Sequence, residues 1–132
     1  MDSNLVETVT RKIMQKMERS QIPVPVGVSN RHLHLSQADW DTLFGKGVQP
    51  RKFRSVVQPG FYACYESVTL EGPKGKIENV RLIAPHRPKT QIELSRSDAA
   101  LLGIKPPVRD SGKLEGSAPV RIVGPKATLE LK

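Results

Sequence analysis

Gly27-Val28-Ser29-Asn30-Arg31-His32-Leu33-His34-Leu35 is an extended run whose last four residues alternate polar and apolar, and Ser36-Gln37-Ala38-Asp39 follows it at once. In a strand, side chains two apart project to the same face. His32 and His34 can then aim both imidazoles at one point while Leu33 and Leu35 face a core behind them. A borderline metal such as zinc uses imidazole nitrogen in this way. A plain pair of strand histidines gives the same pattern. Ser36 with Asp39 three residues on is a helix-start signal, and Trp40, Leu43 and Phe44 give the short helix an apolar side before Gly45 ends it.

Beyond this segment the chain reads as mainly β. Strand-like stretches fall near 52–58, 61–71, 76–84, 89–94 and 119–131. Between them stand turn marks such as Pro59-Gly60, Gly72-Pro73-Lys74-Gly75, Ser111-Gly112 and Gly124-Pro125-Lys126. A second short helix is expected from Ser95, again with an aspartate (Asp98) three residues on, to Gly103. Two echoes are visible: Ser36-x-x-Asp39 with Ser95-x-x-Asp98, and Gly72-Pro73-Lys74 with Gly124-Pro125-Lys126. No longer period is sustained, so these are recurring local solutions rather than a solenoid. Short strands with regular turns predict a small β-barrel-like domain carrying short helices.

Ahead of that body, residues 1–20 predict an amphipathic helix. Leu5, Val6, Val9, Ile13 and Met17 share one side, and Pro23 and Pro25 set an extended linker after it. The expected division is therefore 1–21, helix and linker, and 22–132, barrel. Isolated helices of this length are marginal in water, so the stripe needs cover: its own domain, a second copy in a homodimer, or another protein.

With 132 residues one compact domain is expected. No apolar run approaches the roughly 20 residues that span a bilayer, and Glu7, Arg11 and Lys12 interrupt any secretory signal. The single cysteine, Cys64, excludes an internal disulfide framework, fits a reducing cytoplasm, and reads as a small buried strand residue. A net charge of +8 favours anionic partners. Nucleic acid is disfavoured, because the basic residues are scattered and aromatics make up only 5%, too few for a stacking platform. A small phosphate-bearing substrate accounts for the bias as well.

A third metal ligand must come from outside the H-x-H. Glu93 lies in Lys89-Thr90-Gln91-Ile92-Glu93-Leu94, on the outward side with Gln91, while Ile92 and Leu94 face inward. His86 is the competitor, in the stiff turn Pro85-His86-Arg87-Pro88, which can aim either His86 or Arg87 into a site. Arg87 suits a phosphate, since its planar fork donates two parallel hydrogen bonds.

Three segments, Val24 to Leu35, Thr90-Gln91-Ile92-Glu93-Leu94-Ser95-Arg96-Ser97-Asp98 and Pro107-Val108-Arg109-Asp110-Ser111-Gly112, together resemble the PduL-type phosphate propanoyltransferases, the phosphotransacylases of bacterial microcompartments. The likeness runs in order from about Ile22 to Lys132. It implies an enzyme interconverting acyl-CoA, propanoyl-CoA in the first place, plus phosphate with acyl phosphate plus coenzyme A. It also implies that His32, His34 and Glu93 ligate a zinc ion, that Arg87 binds phosphate, and that His86 is a bystander. Arg109 and Ser111 are further candidates for substrate contacts. Family members have two β-barrel-like domains and a second zinc held by another H-x-H. This chain has no second H-x-H and resembles the first half alone, so the alternative is a non-catalytic zinc- or coenzyme A-binding module. The helix at residues 3–19 resembles an encapsulation segment, which implies shell or core proteins as partners and the microcompartment lumen as location.

Overall fold

The computed structural model describes residues 3–21, 23–27 and 29–132. Of the expectations above, the helix start at Met1 and Asp2, the boundary at Ile22 and Val28 of the extended run lie outside the described residues. Among the described residues, three helices and seven strands follow one another as α1 (Ser3–Gln21), β1 (His32–His34), α2 (Gln37–Phe44), β2 (Lys52–Ser55), β3 (Tyr62–Glu71), β4 (Lys76–Ala84), β5 (Gln91–Glu93), α3 (Arg96–Leu102), β6 (Val120–Val123) and β7 (Thr128–Leu131). The strands form one mixed sheet, ordered β5-β1-β4-β3-β6-β7 with β2 also on β3, curled into a half-barrel. Only β1 with β4 is parallel; every other pair is antiparallel.

The long β3–β4 hairpin is the backbone of the sheet, closed by the Gly72–Gly75 turn, where Gly72 N–H donates to Gly75 C=O at 2.9 Å. Its inner residues Val68, Leu70, Val80 and Leu82 meet Leu33 and Leu35 of the β1 segment, all at most 3% exposed. Trp40 and Leu43 of α2 and Leu102 of α3 cap the same core. Trp40 stacks on Phe44 at 4.3 Å and gives its indole N–H to the Val48 carbonyl, so the largest buried ring has no polar atom left over. Cys64 is fully buried on β3, and burial pushes its thiol up to about 11, with Glu66 adding to the shift. It is a core residue, as the sequence predicts, and a poor nucleophile at neutral pH.

The two sequence echoes turn out to be one arrangement. Ser36 Oγ accepts from Asp39 N–H at 3.2 Å and Ser95 Oγ from Asp98 N–H at 3.1 Å, so both short helices start on the same cap. The last carbonyl turn of each helix is then covered by the other unit's Gly-Pro-Lys turn. Lys126 N–H donates to Leu43 C=O and Lys74 N–H to Leu102 C=O, each at 3.1 Å. The aspartates cross over in the same way: Asp98 takes both Nε (3.1 Å) and Nη2 (3.0 Å) of Arg31, which leads into β1, and Asp39 accepts from Thr90, which leads into β5. β1 and β5 pair antiparallel about Leu33 opposite Ile92. Under the correspondence of Ser36 with Ser95, those two residues are each other's counterparts. The domain is thus two similar units related by a local two-fold through the β1–β5 pair.

α1 stands apart from this packing. Leu5, Val6, Val9, Ile13 and Met17 are all exposed, so the stripe is uncovered by its own barrel. Among the described residues no helix is long and apolar enough to cross a membrane.

The crossed turns leave no room for a side chain. A Cβ on Gly72 would lie 2.2 Å from the Leu102 carbonyl oxygen, a backbone atom that cannot swing away, whereas one on Gly27 would meet nothing within 4 Å. Gly72→Ala should lower unfolding free energy by about 3 kcal/mol through overpacking, measured by urea denaturation. Gly27→Ala should leave the midpoint unchanged, and equal midpoints for the two variants would refute the close approach.

Candidate metal centre

The β1–β5 register places His32 opposite Glu93 and His34 opposite Gln91. All four side chains therefore lie on one side of a two-stranded ribbon, and the ligand atoms of His32, His34 and Glu93 fall within 4.8 Å of one another. His86 takes no part: its ring packs on Trp40, 5.2 Å between centroids. The chain instead turns Arg87 inward, its backbone N–H held by the Leu35 carbonyl at 3.0 Å.

Each imidazole has its nitrogens sorted. His32 Nδ1 is 2.8 Å from the Asn30 carbonyl. A carbonyl only accepts, so Nδ1 carries a proton and Nε2 is the nitrogen turned toward the site. His32 Nε2 lies 3.4 Å from Glu93 Oε2. A ring anchored by a backbone carbonyl on its far nitrogen is the usual condition of a metal-bound histidine. His34 is 3% exposed, and its Nδ1 is the one buried side-chain polar atom among the described residues with no hydrogen-bond partner. An orphaned buried nitrogen costs stability unless something binds it. Burial holds the His34 pKa down at about 4, with the positive Arg87 and neighbouring His32 adding to the effect and Glu93 opposing it. At neutral pH this ring is uncharged and its lone pair is available. Two free imidazole nitrogens and a carboxylate fit a divalent cation of the zinc type.

Arg87 approaches the triad from the side. Its Nη1 donates to Ser111 Oγ at 3.0 Å and to Gln91 Oε1 at 3.4 Å, and its guanidinium lies 5.8 Å from the Phe61 ring centre. Ser111 in turn donates to Glu93 Oε1 at 3.1 Å. Of the residues singled out from the sequence, the structure therefore gathers His32, His34, Glu93, Arg87 and Ser111. Arg109 stands away from them, exposed, with its Nη1 on the carbonyl of Val108, on the wall of an open groove of about 900 Å³ that runs from Glu93 past α3 to Leu131. Gln91 lies on the face it shares with Glu93, as the alternation predicts, yet it is 6% exposed, because the Ser111-Gly112 turn folds over it. Gln91 and Phe61 were not read as site residues. Only the alternation that pairs Gln91 with Glu93 pointed to the former.

The fold and site define a small barrel domain with a triad of possible metal ligands and an arginine beside it. The chain belongs to the phosphate propanoyltransferase family, whose family model matches residues 25–132. It is 50% identical over 127 residues to a phosphate propanoyltransferase of Thermotoga maritima, covering 92% of this chain and 60% of that protein. It is 48% identical over 132 residues to one from Salmonella typhimurium, covering 99% and 61%, and 55% identical over 106 residues to one from Rhodobacter capsulatus, covering 80% and 49%. The chain spans about half to three-fifths of the length of these relatives.

The depressed His34 pKa makes stability depend on pH in a fixed direction. An unfolded chain takes up this proton near pH 6.5, but the folded one resists until about 4. Between those values the unfolded state binds more protons, so stability falls as pH drops through the window, by about 3 kcal/mol in all. Urea midpoints of the metal-free chain at pH 7 and 4.5 should show the loss, reduced in His34→Gln. An undiminished loss in that variant would assign it to other groups.

Proposed function

We propose that the chain forms the phosphate-binding, first-metal part of a phosphotransacylase, exchanging an acyl group, propanoyl in the first place, between coenzyme A and inorganic phosphate. The observation that carries the reading is the buried, unpartnered Nδ1 of His34 inside a triad of possible ligands. In it His32, His34 and Glu93 would hold a zinc ion. When bound, zinc supplies Lewis acidity, stabilising negative charge on the thioester oxygen or the departing sulfur.

Arg87 binds the phosphate. One terminal nitrogen is committed to Ser111, which fixes the plane of the fork and leaves the other N–H groups for phosphate oxygens. Held there, a phosphate oxygen attacks the acyl carbonyl carbon, the carbon–sulfur bond breaks, and coenzyme A leaves as thiolate. Arg87 lowers the repulsion between two anionic reactants and aligns them, which is the larger part of what this chain's own residues contribute. Arg109, on the groove wall, is assigned to coenzyme A. Residues 1–21 are assigned as an encapsulation segment carrying residues 22–132, as a homodimer, to the lumen of a protein-shelled compartment; its uncovered apolar stripe supports this.

A second reading is a zinc- or coenzyme A-binding module without turnover. One zinc per chain is expected by titration, lost in His34→Ala. Zinc-loaded chain should release coenzyme A from propanoyl-CoA only when phosphate is present, and Arg87→Ala should raise the KM for phosphate about 10- to 100-fold, the loss of one charge-assisted contact. Zinc or coenzyme A binding with no turnover above the His34→Ala variant leaves the binding module; binding of neither sinks both. A fluorescent protein bearing residues 1–21 should co-sediment with shells, and Ile13→Glu should release it. Retention of the Ile13→Glu fusion would remove the stripe from the argument.

A further inference from the structure

We propose that Gln91 is a positioning residue that makes Glu93 a one-oxygen ligand and ties that ligand to the phosphate-binding arginine. The inference rests on the metal reading above and concerns how the carboxylate is presented.

Gln91 is a nearly buried amide with every polar position engaged. Its Nε2 donates to Glu93 Oε1 at 2.8 Å and to Ser111 Oγ at 3.0 Å. Its Oε1 accepts from Gly112 N–H at 2.8 Å and from Arg87 Nη1 at 3.4 Å. The amide cannot be reversed. An ionised carboxylate only accepts and a backbone N–H only donates, so Nε2 must face Glu93 and Oε1 must face Gly112.

Glu93 is thereby divided. Oε1 takes two donors, Gln91 Nε2 and the Ser111 hydroxyl, while Oε2 is left on the imidazole side, 3.4 Å from His32 Nε2. Without the amide, Oε1 loses its shorter partner and the carboxylate can rotate both oxygens toward the ion. Conversion to a two-oxygen ligand would fill the position that substrate needs. The same amide oxygen steadies Arg87, so the carboxylate and the guanidinium share one brace. Neutrality matters here, because a second carboxylate at this place would repel Glu93.

The test is a double-mutant cycle on zinc affinity, measured by competition with a chromophoric chelator, in the full 132-residue chain. Gln91→Met should weaken zinc binding about 10- to 100-fold, the usual size of an outer-partner loss. It should also weaken and shift the visible absorption of the cobalt(II)-loaded chain, as coordination number rises. In a Glu93→Gln background the same substitution should have almost no further effect. Gln91→Asn, which withdraws the amide by one methylene, should change affinity and spectrum in the same direction by less, and it serves if Gln91→Met does not fold. A lowered unfolding midpoint with unchanged affinity and cobalt spectrum would assign Gln91 a packing role and overturn the proposal. Equal losses with and without Glu93 would overturn it too. Failure of the unaltered chain to bind zinc or cobalt would instead remove the metal reading, and this inference with it.

Discussion

Two strands of three residues each, paired antiparallel, hold this molecule's chemistry together. The β1–β5 pairing supplies all three triad residues and sets which of them meet. Because side chains alternate faces, a slip of one residue in this register would turn Glu93 into the core and expose Ile92. So short a ribbon could not specify its own register. It is fixed from outside, by Leu33 and Leu35 sunk in the core on one side and by the crossed contacts of Arg31 with Asp98 and Thr90 with Asp39 at its two ends. Each clamp starts in one unit and finishes in the other, so neither unit can shift without breaking both.

The local two-fold also explains the inequality within the site. Counterpart positions on the two strands carry His32 and Gln91, and His34 and Glu93. One strand supplies two imidazoles. The other supplies a carboxylate and the amide beside it. A symmetric set of four histidines would saturate an ion. The unlike pair offers three possible ligands and one amide, and it places the carboxylate on one side only. Arg87 enters on that side, between Phe61 and Ser111.

Much of this was legible in the sequence, and the reasons differ by element. The alternation from His32 to Leu35 announced a strand with a polar and an apolar face, and the structure buries both leucines completely. Ser36 and Ser95 announced helix starts because capping is a local matter, settled within four residues. The Gly-Pro-Lys turns were visible as turns, but not as lids on each other's distant helices, since that closure depends on the sheet being formed. The same limit hid Gln91. An alternating strand names a face without naming what covers it, and here the cover comes from the Ser111-Gly112 turn. The choice of Arg87 over His86 was likewise open in the sequence, because a stiff turn presents both. The space beside Trp40 takes the one, and the Leu35 carbonyl holds the backbone of the other.

Charge then argues for what the triad and Arg87 can hold together. The carboxylate of Glu93 and the guanidinium of Arg87 carry opposite charges, and the Gln91 amide adds hydrogen bonds without adding charge. An ion bearing two positive charges would leave the pocket strongly positive, next to N–H groups of Arg87 not yet engaged. A low-dielectric wall of Phe61 and the core behind His34 would make that excess felt at short range. A small dianion answers such an excess better than a neutral ligand. Phosphate, the substrate of the proposed function, would have the charge to balance such an ion and the oxygens to reach Arg87 at the same time. The overall charge of +8 is too diffuse to make this choice; an imbalance confined to one pocket would not be.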